Sequence, residues 1–522
     1  MLTPDITDHA ATYQALLARD ARFDGCFFVG VTSTGIYCRP ICRVRTPKPE
    51  NCRFFQTHAQ AEAARFRPCL KCRPEIAPGL NNLPWSVMDA SRTLALQAAR
   101  ALDAQAASGE LPRLQDLAAK LGVSDRHLRR IFQAEHGVSP VQYLQTRRLL
   151  LAKQLLTDTR LPITQVAGAS GYRSLRRFNA AFAENYRMSP SRLRNDVSEE
   201  SLPTGSHAAD ALQISLGYRT PCDVFRLMKF FAQRSIPGVE VVDGLRIRRT
   251  VRAAAINPAF DGGGFASPTK ASWIAAEFIP DKARVLLSYA PELAHASATV
   301  AHAARRWLDL DAAPQAVDAM LADLPGEPGL RLPGSLDGFE LAVRAVLGQQ
   351  VTVAGARTLA SRFVQRFGEA VVTPWADIHT AFPSPQSLAD VAVERIAELG
   401  IIRSRAGAIL ALAQAWPDLQ PLTLAPEPPD ALIARLVALP GIGPWTASYI
   451  AMRALSWPDI FLPNDVALLK AMKQLFHTAN QREADAHAER WKPWRSYAVM
   501  HLWNSLDKPM QNQPQQPPQE PT

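Results

Sequence analysis

No uninterrupted apolar run in the 522-residue chain is long enough to cross a bilayer, so a helical membrane span is not expected. The N-terminus lacks the basic start and apolar stretch of a secretory signal, so a cytoplasmic protein is expected. Cysteine is nearly missing after residue 72, with Cys222 the one exception. A disulfide framework is therefore not expected over most of the chain. In a reducing compartment, six clustered cysteines suggest metal or catalysis instead. An excess of basic charge is also missing from most of the chain. Residues 1–197 hold 28 Lys+Arg against 16 Asp+Glu, whereas residues 198–522 hold 30 against 32. The polyanion-binding character implied by an overall charge of +10 thus belongs to the N-terminal part, although a basic soluble surface would have the same composition.

A chain of this length is too long for one core, and three to five domains are expected. Residues 1–76 are cysteine-rich, and 77–90 form a Pro/Asn-interrupted linker. Apolar spacing predicts helices throughout 91–195, followed by a polar, acidic linker at 196–210. Residues 211–292 read as an α+β unit: a strand at "ALQISLGYR", a helix with Pro221 in its first turn, then antiparallel strands. Helices dominate 293–508, and the Pro/Gln-rich tail 509–522 is expected to be disordered.

The pairs "CRPIC" (Cys38, Cys42) and "CLKC" (Cys69, Cys72) have the spacing of a four-cysteine zinc site, each pair gripping the metal from one turn. Scattered buried thiols would account for Cys26 and Cys52 but not for two tight pairs. Zinc holds its ligands as thiolates, so a metal-bound sulfur exposed to solvent is a standing nucleophile. "TGIYCRPICRVR…FRPCLKCRPE" resembles the N-terminal domain of Ada-type adaptive-response regulators. The resemblance implies that Cys38 irreversibly accepts a methyl group from a DNA methylphosphotriester while Cys42, Cys69 and Cys72 complete the zinc site. It further implies backbone contacts by Arg39, Arg43, Arg45 and Arg67.

"LQDLAAKLGVSDRHLRRIFQAEHG" has a helix-turn-helix rhythm, with a turn at Gly122, Ser124 as N-cap and a second helix bearing Arg126, His127, Arg129 and Arg130. Residues 163–194 repeat the scheme, with Gly171 in the turn, Ser174 opening the reader, and Arg173, Arg176 and Arg177 around it. A solvated basic helix would explain either copy alone. The run "SGYRSLRRFNAAF" and the ensuing "SP" resemble the AraC-type DNA-binding domain, which implies two recognition helices in successive major-groove segments and sequence-specific promoter binding.

In "LPGIGPWTASYIAMRAL", Gly441 and Gly443 form a tight turn between helical stretches whose N–H groups can approach a phosphate. Downstream, "FLPNDVALLK" places Asp465 at a helix start, where an N-cap is its ordinary role. Together with "PGLRLPGSLDGFELAVRAVLGQQVTVAGA" and "ERWKPWRSYAVMHLW", these segments resemble the AlkA-type 3-methyladenine glycosylases of the helix-hairpin-helix superfamily over about 210–507. The resemblance implies that Asp465 stabilises positive charge on the sugar and positions water, with Trp445, Tyr449 and Trp503 as the aromatic base pocket. Gln350, flanked by Gln349, occupies the place of the side chain that fills the gap left by the flipped base. Bifunctional relatives carry a lysine where this chain has Trp445, and iron–sulfur relatives carry four C-terminal cysteines, so neither lyase activity nor a cluster is expected.

The expected fold is multidomain and mainly α: a small four-cysteine zinc α/β domain, an AraC-type double helix-turn-helix, an α+β subdomain and an all-α glycosylase domain. The expected function is an alkylation sensor and transcription activator fused to a monofunctional 3-methyladenine DNA glycosylase. The alternative is a regulator whose glycosylase-like half only binds DNA. The Pro-Cys-His-Arg motif of the usual Ada C-terminal methyltransferase is absent, so direct repair of O6-methylguanine is not expected. Zinc and double-stranded DNA are the expected cofactor and partner, with a monovalent cation at the hairpin, RNA polymerase as a protein partner, no membrane and a monomeric state as further expectations.

Overall fold

The computed structural model describes residues 6, 8–79, 90–105, 114–196, 211–256, 271–424 and 428–506. The Pro/Gln-rich tail and most of both expected linkers lie outside these residues. Among the described residues, no helix is long and apolar enough to cross a membrane.

The N-terminal module is built on a four-stranded sheet ordered Cys52–Phe55, Phe28–Val31, Ile36–Cys38, Arg67–Pro68, with the last pair parallel. Val29 pairs with Cys38, which puts the first thiol at a strand end against the apolar side chains of the sheet. The residues that follow supply two reading helices, Asp125–His136 and Leu175–Tyr186. Each is preceded by a glycine in the left-handed region, Gly122 at φ +69° and Gly171 at φ +79°. Each is capped by the serine read from the sequence: Ser124 accepts the His127 N–H at 3.2 Å and Ser174 the Arg177 N–H at 3.4 Å. Between them runs the helix Pro140–Asp158, opened by a Ser139–Gln142 capping box.

An antiparallel five-stranded sheet follows, ordered Leu212–Gly217, Arg284–Tyr289, Ala271–Ile279, Arg246–Arg252, Glu240–Asp243. The helix Val224–Arg234 begins at the N-cap Asp223, so Pro221 precedes it rather than lying in its first turn. The segment read as the end of a strand turns into the short helix Ala253–Ile256. Helices from Ser297–Trp307 to Arg495–Ser505 form the C-terminal module, which also carries a two-stranded ribbon, Glu369–Ala370 with Thr380–Ala381.

The modules are not beads on linkers. The first reader has its own core around Ala98, Leu102, Leu128 and Phe132. The second reader shares one continuous apolar cluster with the sheet and the C-terminal helices, from Leu149 and Phe178 through Ile214 and Trp307 to Leu502. Polar contacts close the same junction. Arg73, directly after the last cysteine, pairs with Asp158 at 2.6 Å, and Lys153 pairs with Glu75 at 2.6 Å. The other Asp158 oxygen accepts the Ser215 N–H of the five-stranded sheet at 3.0 Å. Arg219 donates to the carbonyls of Asp24 at 3.0 Å, Gly79 at 2.8 Å and Asp311 at 3.1 Å, tying the cysteine-rich module to the C-terminal half.

Candidate functional site

Cys38, Cys42, Cys69 and Cys72 bring their four sulfurs within 4.8 Å of one another. A tetrahedral zinc–thiolate site has metal–sulfur bonds of about 2.3 Å, and its sulfur–sulfur edges are then a little under 4 Å, so the donor set and its spacing suit that ion. No other ligand type enters the cluster, which matches zinc's preference in closed structural sites. The expectation of a solvent-exposed Cys38 needs correction: Cys38 is 5% exposed, because its strand lies inside the sheet, and Cys72 is the more open of the four. What distinguishes Cys38 is its hydrogen bonding. The Arg39 N–H donates to Cys72 Sγ at 3.4 Å, the Val44 N–H to Cys42 and the Cys72 N–H to Cys69. Among the described residues, no backbone N–H reaches Cys38 Sγ. An N–H donor drains charge from a thiolate, so a sulfur without one would keep the most charge of the set.

The second site is a cavity of about 660 Å³ in the C-terminal half. Its acid is Asp465, 7% exposed, at the start of the helix Val466–Phe476. Asp465 does cap that helix, accepting the Leu468 N–H at 2.7 Å through Oδ1. The same carboxylate also accepts the Trp445 indole N–H at 2.7 Å through Oδ2 and the Trp503 indole N–H at 3.2 Å through Oδ1. Three donors from three segments therefore aim one carboxylate at the cavity, and among the described residues no Lys, Arg or His forms an ion pair with it. Trp445 and Tyr449, one helical turn apart, stack at 5.3 Å between centroids with planes 6° apart, and Trp503 stands 6.3 Å from Tyr449. The three rings form an aromatic wall of the cavity.

Beside the cavity, Gly441 adopts φ +79°, and a Cβ there would come within 2.9 Å of Ala408. Gly443 is the N-cap of the helix Pro444–Ala454 and leaves its surroundings open. Gln349 does not point at a substrate: its amide donates to the Gly441 carbonyl and the Thr446 hydroxyl, each at 3.0 Å, and so braces the glycine turn. Gln350 is exposed, with φ +53°.

With both geometries in place, the comparisons with known proteins can be set against them. Family models match in order along the chain: the metal binding domain of Ada over residues 11–75, a helix-turn-helix domain over 117–196, the AlkA N-terminal domain over 213–337, and the HhH-GPD superfamily base excision DNA repair protein over 343–496. The probable bifunctional transcriptional activator/DNA repair enzyme AlkA of Mycobacterium tuberculosis is 36% identical over 98% of this chain and 99% of its own length. The chain belongs to this bifunctional Ada/AlkA family. DNA-3-methyladenine glycosylase 2 of Escherichia coli is 35% identical over 55% of this chain and 96% of its own. The bifunctional transcriptional activator/DNA repair enzyme AdaA of Bacillus subtilis is 31% identical over 38% of this chain and 89% of its own.

In this member of the Ada/AlkA family the arginines read as DNA contacts divide. Arg43, Arg45, Arg126, Arg129, Arg130, Arg173, Arg176 and Arg177 are exposed, and Arg67 is half-buried. Arg129 pairs with Asp125 at 3.0 Å, and Arg130 lies against His127. Arg39 departs from expectation: it is 4% exposed and forms a two-pronged ion pair with Asp24, its Nε donating to Oδ1 at 2.8 Å, while Nη1 donates to the Cys72 carbonyl. A guanidinium held this way is a structural strut beside the thiols, not a phosphate contact. Sequence reasoning also missed part of the cavity wall, including Phe230, Arg234 and Arg453. Phe230 and Arg234 come from a helix more than two hundred residues before the hairpin, and no local pattern marks them.

Proposed function

We propose that the chain senses DNA alkylation at Cys38, acts as a sequence-specific transcription activator, and excises alkylated purines such as 3-methyladenine through its C-terminal cavity. The observation that carries the excision reading is Asp465, a carboxylate with no ion pair among the described residues, held by two indoles on the wall of an aromatic cavity.

A purine alkylated at a ring nitrogen is a cationic, already good leaving group. The protein must mainly extrude it, hold it and stabilise the positive charge developing at C1′ of the sugar. Trp445, Tyr449 and Trp503 offer π faces to the electron-poor base. Asp465 supplies the negative charge at the sugar and accepts a proton from the attacking water. Trp445 stands where a lyase would need an amine, so the reaction ends at base release. A DNA-binding scaffold would have no use for a buried carboxylate aimed into such a cavity, which favours catalysis over the regulator-only alternative.

In the N-terminal module, Cys38, Cys42, Cys69 and Cys72 would hold zinc, which keeps its ligands as thiolates at neutral pH. Cys38 Sγ forms a bond to the methyl carbon of a phosphotriester, the methyl–oxygen bond breaks, and the phosphodiester leaves as an anion. One negative charge is lost from the cluster, so nearby DNA phosphates are repelled less and promoter affinity rises. The readers Asp125–His136 and Leu175–Tyr186 would then supply the sequence contacts.

Base release from methylated duplex DNA by wild type and Asp465→Asn tests the excision reading. Release by the wild type that is lost in the variant is expected. No release by folded, zinc-loaded wild type would leave the regulator-only reading.

A further inference from the structure

The cavity that faces Asp465 has a wall of opposite character. Arg453, 7% exposed, donates from Nε to the Pro333 carbonyl at 2.8 Å, from Nη2 to the Gly334 carbonyl at 3.1 Å, and from Nη1 to the Tyr449 oxygen at 2.9 Å. Its guanidinium lies 4.8 Å from the centroid of the Phe230 ring, and that of Arg234 lies 3.7 Å from the same centroid. Arg344, which also lines the cavity, pairs with Glu240 and Glu340. No carboxylate forms an ion pair with Arg453 or Arg234 among the described residues.

This arrangement fixes the direction of one hydrogen. Arginine only donates, so the Tyr449 oxygen is the acceptor of the Arg453 contact and its own hydrogen must point elsewhere. The ring stacks on Trp445 and the residue lines the cavity, so the hydrogen can turn into the cavity. Burial pushes the phenol's pKa up, but Arg453 and Arg234 more than offset it and leave it below the ordinary value, which makes the hydroxyl a stronger donor. A wall of this kind adds little to the release of a cationic base, which needs no help to leave. It suits a base that departs with negative charge.

We propose that Tyr449, held by Arg453, donates its hydroxyl hydrogen to an acceptor atom of an extruded neutral base and thereby sets how well bases without positive charge are released. The proposal rests on the glycosylase reading and deepens it. As the C1′–nitrogen bond breaks, its electron pair stays on the base, and the Tyr449 hydrogen bond stabilises the resulting charge. Water adds its oxygen to C1′, and its proton completes the departing base. Tyr449 is thus a catalytic residue for neutral lesions and a stacking residue for cationic ones.

The test measures single-turnover base release by wild type, Tyr449→Phe and Asp465→Asn on two duplexes that differ only in the lesion, cationic 7-methylguanine or neutral hypoxanthine. Phenylalanine keeps the ring and its stack, and affinity for abasic-analogue DNA checks that the site remains formed. Tyr449→Phe is expected to slow hypoxanthine release on the order of a hundredfold and 7-methylguanine release far less, so that the ratio of the two rates falls at least about tenfold. Equal slowing on both lesions would reduce Tyr449 to a stacking role and overturn the proposal. Wild-type release of 7-methylguanine with none of hypoxanthine would overturn it while leaving the glycosylase reading intact. Release of neither base would sink both.

Discussion

Trp445 and Asp465 are joined by a hydrogen bond of 2.7 Å from indole Nε1 to carboxylate Oδ2, and the same carboxylate caps the helix that follows it. The side chain proposed to act on the sugar thus also holds a helix end, and substitutions can separate the two roles. In Asp465→Asn the amide oxygen still accepts the Leu468 N–H, but the amide nitrogen meets an indole donor. Base release should fall by about a hundredfold or more, with stability changed by only about 1 kcal/mol. Asp465→Ala should lose the cap as well, costing a further ~1 kcal/mol in urea unfolding. Trp445→Phe keeps a ring against Tyr449 but removes the donor, and its loss of excision should exceed its loss of stability. Single-turnover release and urea titration of the three variants check this.

The distribution of N–H donors around the thiols predicts which sulfur is alkylated. After exposure to methylphosphotriester DNA, mass spectrometry should find one methyl group on the Cys38 peptide and none on those of Cys42, Cys69 or Cys72. Cys38→Ser should abolish the transfer. Zinc removal by a chelator should open the module to proteolysis, because Cys38, Cys42 and Cys69 make up half of the buried cluster that they share with Leu16, Val29 and Cys52.

Arg39 and Arg43 should behave differently although both were read as phosphate contacts. Arg39→Met leaves Asp24 buried without its partner and should destabilise the cysteine-rich module by about 3–5 kcal/mol. Arg43→Ala, at an exposed position, should leave stability unchanged and reduce the salt dependence of DNA binding, by about one unit in the log–log slope if it meets a phosphate. Thermal unfolding and binding isotherms at several salt concentrations separate the two effects.

Glu62 predicts a pH dependence. It is buried between the cysteine-rich module and the second reader, with Tyr37 donating to Oε1 at 3.1 Å and Tyr186 at 3.5 Å. Burial pushes its pKa up to about 8, despite hydrogen bonds from Tyr37, Thr146 and Tyr186 that favour the charged form. Between the ordinary carboxylate range and pH 8 the folded state binds more protons than the unfolded state, so stability falls as pH rises across that window. Glu62→Gln should flatten the decline, and at its alkaline end the variant should be more stable than wild type by about 4 kcal/mol at most. Denaturant midpoints measured from acid to mildly alkaline pH provide the comparison.

Much of the site was readable because it is local in the chain. Two short cysteine pairs, serine-capped helices after Gly122 and Gly171, and Asp465 ahead of an apolar helix are each set by neighbours a few residues away. Backbone geometry and capping chemistry act over that range, so those features kept their meaning when folded. Asp465 shows where local reading ends: its capping role was visible at once, but only the fold brings Trp445 and Trp503 to the same carboxylate.

What the sequence determined by itself was the order of the modules, the two cysteine pairs that converge and the aspartate that caps a helix beside the cavity, because spacing and residue type constrain each of them directly. Tertiary structure alone decided that Arg39 faces inward to Asp24, that Arg219 ties the two halves of the chain together, and that Phe230, Arg234 and Arg453 line the cavity beside Asp465. The physical reason is the same for each. An arginine looks alike in a sequence whether it meets solvent, a buried carboxylate or an aromatic ring, and its partner is selected by packing between segments that are far apart in the chain.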